Sequence, residues 1–209
     1  MATRPDSTRG DGHPATGPRT PWLERIEFRT CLAAHAAIFR DALGEHPCVT
    51  VVDGPLLDGC AADAAIAPTN GFGYLDAGID GAFARRFGRR LQRILQERIG
   101  GEFDGELPCG SAIVVPTGDL SLPLVVAAPV SPYPGSISGE PMVYQAMLAA
   151  LRAVDAWNAA DEGTWIQSLL LPDPTRPPVA WQAERVALQV SEAIGAWRRE
   201  RDARSLRAA

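Results

Sequence analysis

Between Ile26 and Trp197, short apolar runs alternate with longer stretches whose apolar side chains recur every three to four residues, and this alternation is the strongest constraint on the fold. Ile26 to Cys31 alternates as a short strand, and Ala33 to Leu43 reads as an alanine-rich helix with Gly44 beyond its end. Cys48 to Val52 is a second strand, closed by the turn signal Asp53-Gly54-Pro55. Ala64 to Ala67 is small and aliphatic, as suits a strand covered on both sides. From Gly81 the period changes: Phe83, Phe87, Leu91, Ile94 or Leu95, and Arg98 or Ile99 share one helical face, with arginines over much of the other. Ala112 to Val115 and Leu122 to Ala127 are the next strands, Pro123 limiting where the second ladder begins. Pro141 fits the first turn of a helix striped by Val143, Met147, Leu151 and Val154. Trp165 to Leu171 reads as another strand, and Val179, Ala183, Val186, Val190, Ile194 and Trp197 form the packing face of a last helix. Repeated alternation of this kind predicts an α/β layered fold.

The chain has 209 residues, 46% of them hydrophobic, enough for one fairly large domain. Residues 1–20 carry Pro, Gly, Thr and charge without large aliphatic side chains after Met1, which predicts a disordered tail, one domain over 21–200 and a C-terminal tail over 201–209. A net charge of -5 gives no reason to expect sequence-specific nucleic-acid binding. All twenty basic residues are arginine, and six of them fall between Gly81 and Gly100; the pattern fits a solvated helix face, or a phosphate or partner surface. Cys31, Cys48, Cys60 and Cys109 lack paired metal-ligand spacing and read as reduced thiols. His13 lies in the tail, His35 on the first helix and His46 near a turn, so neither a metal site nor a cofactor is expected. No apolar run spans a bilayer and no signal core precedes the domain, so the expectation is a soluble cytoplasmic protein without membrane contact.

The stretch Asn70 to Phe83 places four glycines and two aspartates between the small-residue strand and the arginine-faced helix. Glycines at the carboxyl end of a buried strand let backbone N–H groups approach an anion, and the following helix adds its unpaired amides and positive end. A diphosphate fits that arrangement; so does a tight structural turn. The spacing is neither that of a dinucleotide-binding loop nor that of a nucleoside-triphosphate loop.

Here the sequence resembles the macrodomain, an ADP-ribose-binding module. Asp63-Ala-Ala-Ile-Ala-Pro-Thr-Asn70 is similar to the family run Asp-Ala-Ile-Val-Asn-Ala-Ala-Asn, and Tyr74 to Phe83 is similar to its glycine-rich continuation. Gly105 to Gly118 resembles the family strand before Thr-Gly. The resemblance implies a three-layer α/β/α sandwich with a central mixed sheet. It implies binding of ADP-ribose or an ADP-ribosylated macromolecule, with hydrolysis at the distal ribose anomeric carbon as an associated activity. Asn70 would contact the distal ribose, with Thr69, Gly71, Phe72, Gly73, Gly78, Ile79 and Gly81 shaping its surroundings. Asp80 would position or activate water, with Asp76 as an assistant; the alternatives are a helix cap at Asp80 and an Asx turn at Asp76.

Three departures qualify what the family implies. Ala67 stands where the family has its first asparagine. Asp53 precedes Gly54-Pro55, so the adenine-side acid would come from one position earlier, or Asp53 is a turn residue. Leu171-Pro-Asp-Pro-Thr-Arg-Pro-Pro178 occupies the place of the second phosphate loop without its glycines; its prolines lack N–H donors, Asp173 would repel phosphate, and Arg176 would compensate. The competing expectation is a degenerate macrodomain acting as a structural or protein-interaction module, or a binder of another nucleotide sugar.

Overall fold

The computed structural model describes residues 22–76, 78–134, 142–160, 164–175 and 182–208. The elements run in the order β1 (Arg25–Thr30), α1 (Ala33–Leu43), β2 (Val49–Asp53), β3 (Ala64–Asn70), α2 (Gly78–Glu102), β4 (Ile113–Pro116), β5 (Leu124–Ser131), α3 (Val143–Ala160), β6 (Ser168–Pro172) and α4 (Ala183–Ala208). Six strands form one sheet in the order β2-β1-β6-β3-β5-β4. All pairs are parallel except β4 with β5, so the sheet is mixed.

Strand alternation divides the core into two. Ala64 and Ile66 face α1, α3 and α4 together with Ile26, Phe28, Val126 and Leu171. Ala65 and Ala67 face α2 with Val125, Ala127 and Leu170. The result is the expected three-layer α/β/α sandwich. Ala67, in the family's asparagine position, is a fully buried member of the α2-side core.

Several element bounds differ from the sequence reading for identifiable reasons. The helix expected from Gly81 begins at Gly78 and is broken at Gly88, whose φ of 69° and ψ of -175° are not helical. The strand expected from Trp165 begins at Ser168. The backbone before it is taken by side chains: the Trp157 indole donates to Thr164 O at 2.7 Å, and Asp63 Oδ2 accepts from Gln167 N at 3.0 Å and Ser168 N at 2.8 Å. β3 runs on to Asn70 through Pro68, which is tolerated because pairing with β6 ends at Ala65. α4 continues past the domain edge drawn at residue 200, and Arg204 binds Asp155 on α3. Arg201 lies over the rings of Trp22 and Trp197. Pro141 and Val179 lie outside the described residues.

Asn158 shows how much one polar side chain holds here. It is 4% exposed, donates to Ile166 O at 2.9 Å and accepts from Ile166 N at 2.8 Å. Asn158→Ala strands both backbone groups in the core and is expected to cost about 3 kcal/mol, read as a lowered urea midpoint with an unchanged m-value.

Candidate functional site

Parallel pairing brings the carboxyl ends of five strands, β1, β2, β3, β5 and β6, to one edge of the sheet. Thr30 pairs with Asp53, Arg29 with Pro172 and Asn70 with Ser131. β6 stays with β1 to its end, Asp173 N donating to Arg29 O at 2.7 Å, whereas its pairing with β3 stops at Leu170 and Ala65. The two strands therefore separate toward the carboxyl edge, with Asn70 on one side and Asp173 on the other. Ligands of open α/β sheets bind outside such carboxyl ends.

The loop after β3 is organised by Asn70, which is 4% exposed. Its Oδ1 accepts from Phe72 N at 3.1 Å and Tyr74 N at 3.3 Å, and its Nδ2 donates to Tyr74 O at 2.8 Å. Gly71 N donates to Pro132 O at 3.2 Å, Gly73 N to Asn70 O at 3.1 Å, and Leu75 N to Gln92 Oε1 at 3.0 Å. Five consecutive amides, 71 through 75, are thus bonded inside the protein. Amides 71 to 75 and the Asn70 side chain, which were expected to face an anion and a ribose, are here engaged by the loop and its neighbours. Gly73 serves packing instead: its φ is +68°, and an added Cβ would stand 3.0 Å from Ile99 Cδ1.

The amides left over are those of the first turn of α2, Gly78, Ile79 and Asp80, which helix geometry leaves without intrahelical acceptors. Gly78 adopts φ +58°, and nothing lies within 4 Å of where its Cβ would be. Asp80 stands in this turn. The residue is half-buried, yet its Oδ1 is sealed from solvent and has no hydrogen-bond partner. Burial, and then the charge of Asp76, push its carboxyl up to about 8. Capping of a helix N–H by Asp80, one of the sequence alternatives, is not seen among the described residues. Asp76 is exposed. Thr69 Oγ1, next to Asn70 in sequence, is likewise buried without a partner. Phe72 stacks on Tyr133 with ring centroids 6.1 Å apart, and Tyr133 and Tyr74 are exposed.

Thr69 through Gly73 and Gly78 through Gly81 therefore gather at one corner, where β3 hands over to α2. Asp53 stands apart, exposed at the end of β2. Three strand spacings separate β2 from β3, about 14 Å at the usual interval. Arg176 lies outside the described residues.

A second polar group at this edge escaped the sequence reading. Asp173 is 1% exposed, and its carboxylate accepts from Thr30 Oγ1 at 2.7 Å, His35 Nδ1 at 3.1 Å, Thr175 N at 2.8 Å and Thr175 Oγ1 at 2.5 Å. Asp173 is thus turned inward and compensated, not presented to solvent as a repelling charge. His35 and Asp173 are 138 residues apart in sequence and meet only because β1 pairs with β6.

A mixed sheet between two helical layers, with an unpartnered buried carboxyl oxygen at the start of α2, defines a three-layer α/β/α domain. The chain has the fold of a macrodomain. Residues 66–163 match the Macro domain. Among solved structures it is similar to the macrodomain of Mycobacterium tuberculosis DarG, at 20% identity and a TM-score of 0.57 over 70% of this chain and 90% of that one. It is also similar to the macrodomain of Thermus aquaticus DarG, at 19% identity and a TM-score of 0.53 over 69% of this chain and 89% of that one. A comparison with curated proteins found no match. Among the described residues, no helix is long and apolar enough to cross a membrane, and no group of three or more His, Cys, Asp or Glu side chains could hold a metal.

Proposed function

We propose that the protein binds ADP-ribose or an ADP-ribosylated macromolecule at the corner between β3 and α2, and hydrolyses the bond at the distal ribose anomeric carbon. The observation that carries this reading is Asp80, whose carboxyl has an unpartnered buried Oδ1 and holds its proton to about 8, set in the first turn of α2. At neutral pH Asp80 is a neutral acid. Its part is therefore donation, not the water activation the sequence suggested. The anomeric carbon to leaving-group bond breaks as Asp80 passes its proton to the leaving group, and water attacks the carbon, giving its proton to the exposed Asp76 carboxylate. Two acids whose environments differ this much suit an acid and base pair. A cytoplasmic location accords with four free cysteines, Cys31, Cys48, Cys60 and Cys109.

Isothermal calorimetry of the full chain with ADP-ribose, paired with release of ADP-ribose from a modified protein or nucleic acid, tests this reading. Saturable heat and release are expected; neither heat nor thermal stabilisation at millimolar ligand would overturn it. The five internally bonded amides favour a second reading, a macrodomain serving as a protein-interaction module. Binding without turnover on any linkage would instead mark a reader of the modification.

A further inference from the structure

We propose that His35, oriented by the buried Asp173, contacts the phosphate groups of the ligand through its Nε2, supplying a donor beside Pro172 and Pro174, which have no N–H. The inference rests on the nucleotide-sugar reading above for the ligand's identity, though the anion contact itself does not. Hydrogens in the cluster can be assigned by elimination. Thr175 N and Thr175 Oγ1 both donate to Asp173 Oδ1, so Thr175 Oγ1 is left to accept from His35 Nδ1, 2.9 Å away. Thr30 Oγ1 and His35 Nδ1 both approach Asp173 Oδ2. Nδ1 therefore carries a proton shared between Asp173 and Thr175, and the ring is fixed in orientation. Nε2 has no partner among the described residues, and the side chain is 23% exposed.

Position supports the assignment. His35 lies in the first turn of α1, which has no acidic residue and no side-chain cap. β6 is the strand between β1 and β3, so Asp173 and Asn70 flank the gap that opens between β6 and β3. A sugar seated at Asp80 would carry its diphosphate across the gap between β3 and β6 toward this cluster. Meanwhile the loop amide of Thr175 points inward to Asp173, and Pro172 and Pro174 have no N–H to offer. Carrying a proton on each ring nitrogen, His35 pairs with the Asp173 carboxylate and donates from Nε2 to a phosphate oxygen. Among the described residues, the groups facing the ring are Asp173 beyond β6, the uncharged Thr30 on β1 and the uncharged Thr175; Asp53 ends the neighbouring strand β2.

Two measurements on the full chain test this. In long-range histidine NMR spectra, inorganic pyrophosphate and ADP-ribose are each expected to shift the ring signals of His35 while leaving those of the buried His46 in place. In calorimetry, His35→Gln is expected to weaken ADP-ribose binding at least tenfold. ADP-ribose that binds without moving His35, or binds His35→Gln as tightly as wild type, overturns the proposal. Should the variant not fold, the wild-type spectra decide alone. A His35 shift with pyrophosphate but no binding of ADP-ribose upholds the anion contact and sinks the nucleotide-sugar reading instead.

Discussion

Asp80→Asn is expected to lose hydrolysis by about a hundredfold or more, to keep ADP-ribose binding, and to be more stable than the wild type at pH 8. The reason is one carboxyl. Its ordinary value of 3.8 is raised to about 8, first by burial and then by Asp76. Below pH 4 both the folded and the unfolded chain hold the proton and this group's contribution to stability is complete. As pH rises the unfolded chain releases its proton while the folded chain keeps it, so stability declines until the folded group also ionises near pH 8. Asparagine keeps the shape and has no proton to lose. With solvent screening of a half-buried residue allowed for, the gain at pH 8 is roughly 2 to 3 kcal/mol. Urea midpoints at pH 5 and pH 8 read it directly: the wild type should fall between the two and the variant should not. Parallel behaviour of the two proteins would show that Asp80 ionises like an ordinary surface acid, and its role as proton donor would go with it.

Asn70→Ala is expected to cost about 3 kcal/mol and to remove ligand binding. The side chain satisfies Phe72 N, Tyr74 N and Tyr74 O, and with it gone those groups have no other partner in a loop that is largely buried. The loop sets where α2 begins, and hence where Asp80 stands. Asn70→Asp keeps both acceptor bonds but turns a carboxylate toward the Tyr74 carbonyl, so it should be destabilised without gaining the alanine variant's freedom. Denaturation midpoints separate the two, and calorimetry with ADP-ribose reports the site. An alanine variant that binds like the wild type would mean that α2 is positioned without Asn70.

Much of the layering could be read before the structure. Ala64 to Ala67 is small enough on both faces to lie between helices, and the stripes of Val143, Met147, Leu151 and Val154, and of Val186, Val190, Ile194 and Trp197, end in one shared core. Periodicity reports which face is buried, and that is a local property. The break at Gly88 was not legible, because the stripe from Phe83 through Phe87 to Leu91 continues across it and a glycine alone does not reveal its φ. Arg86 looked like part of a solvated face, yet its guanidinium bonds Asp119 at 3.1 Å and Cys60 O at 3.0 Å, partners that only the fold brings near.

The site divides along the same line. Asn70, Gly73, Gly78 and Asp80 were legible as residues of one corner between β3 and α2, but the direction of each bond was not. Asn70 turned inward because three backbone groups of a buried loop needed partners within reach. The His35 and Asp173 pair was invisible because it depends on β6 lying on the side of β1 opposite β2, which sequence order does not reveal.

The most direct test of the account is a crystal of the full chain soaked with ADP-ribose. The distal ribose should lie against Asp80 and the first-turn amides of α2, with the diphosphate running across the gap between β3 and β6. Ligand bound only elsewhere, for instance in the cavity lined by Tyr144, Ser191 and Arg199, or a corner that stays empty at millimolar ligand, would contradict it.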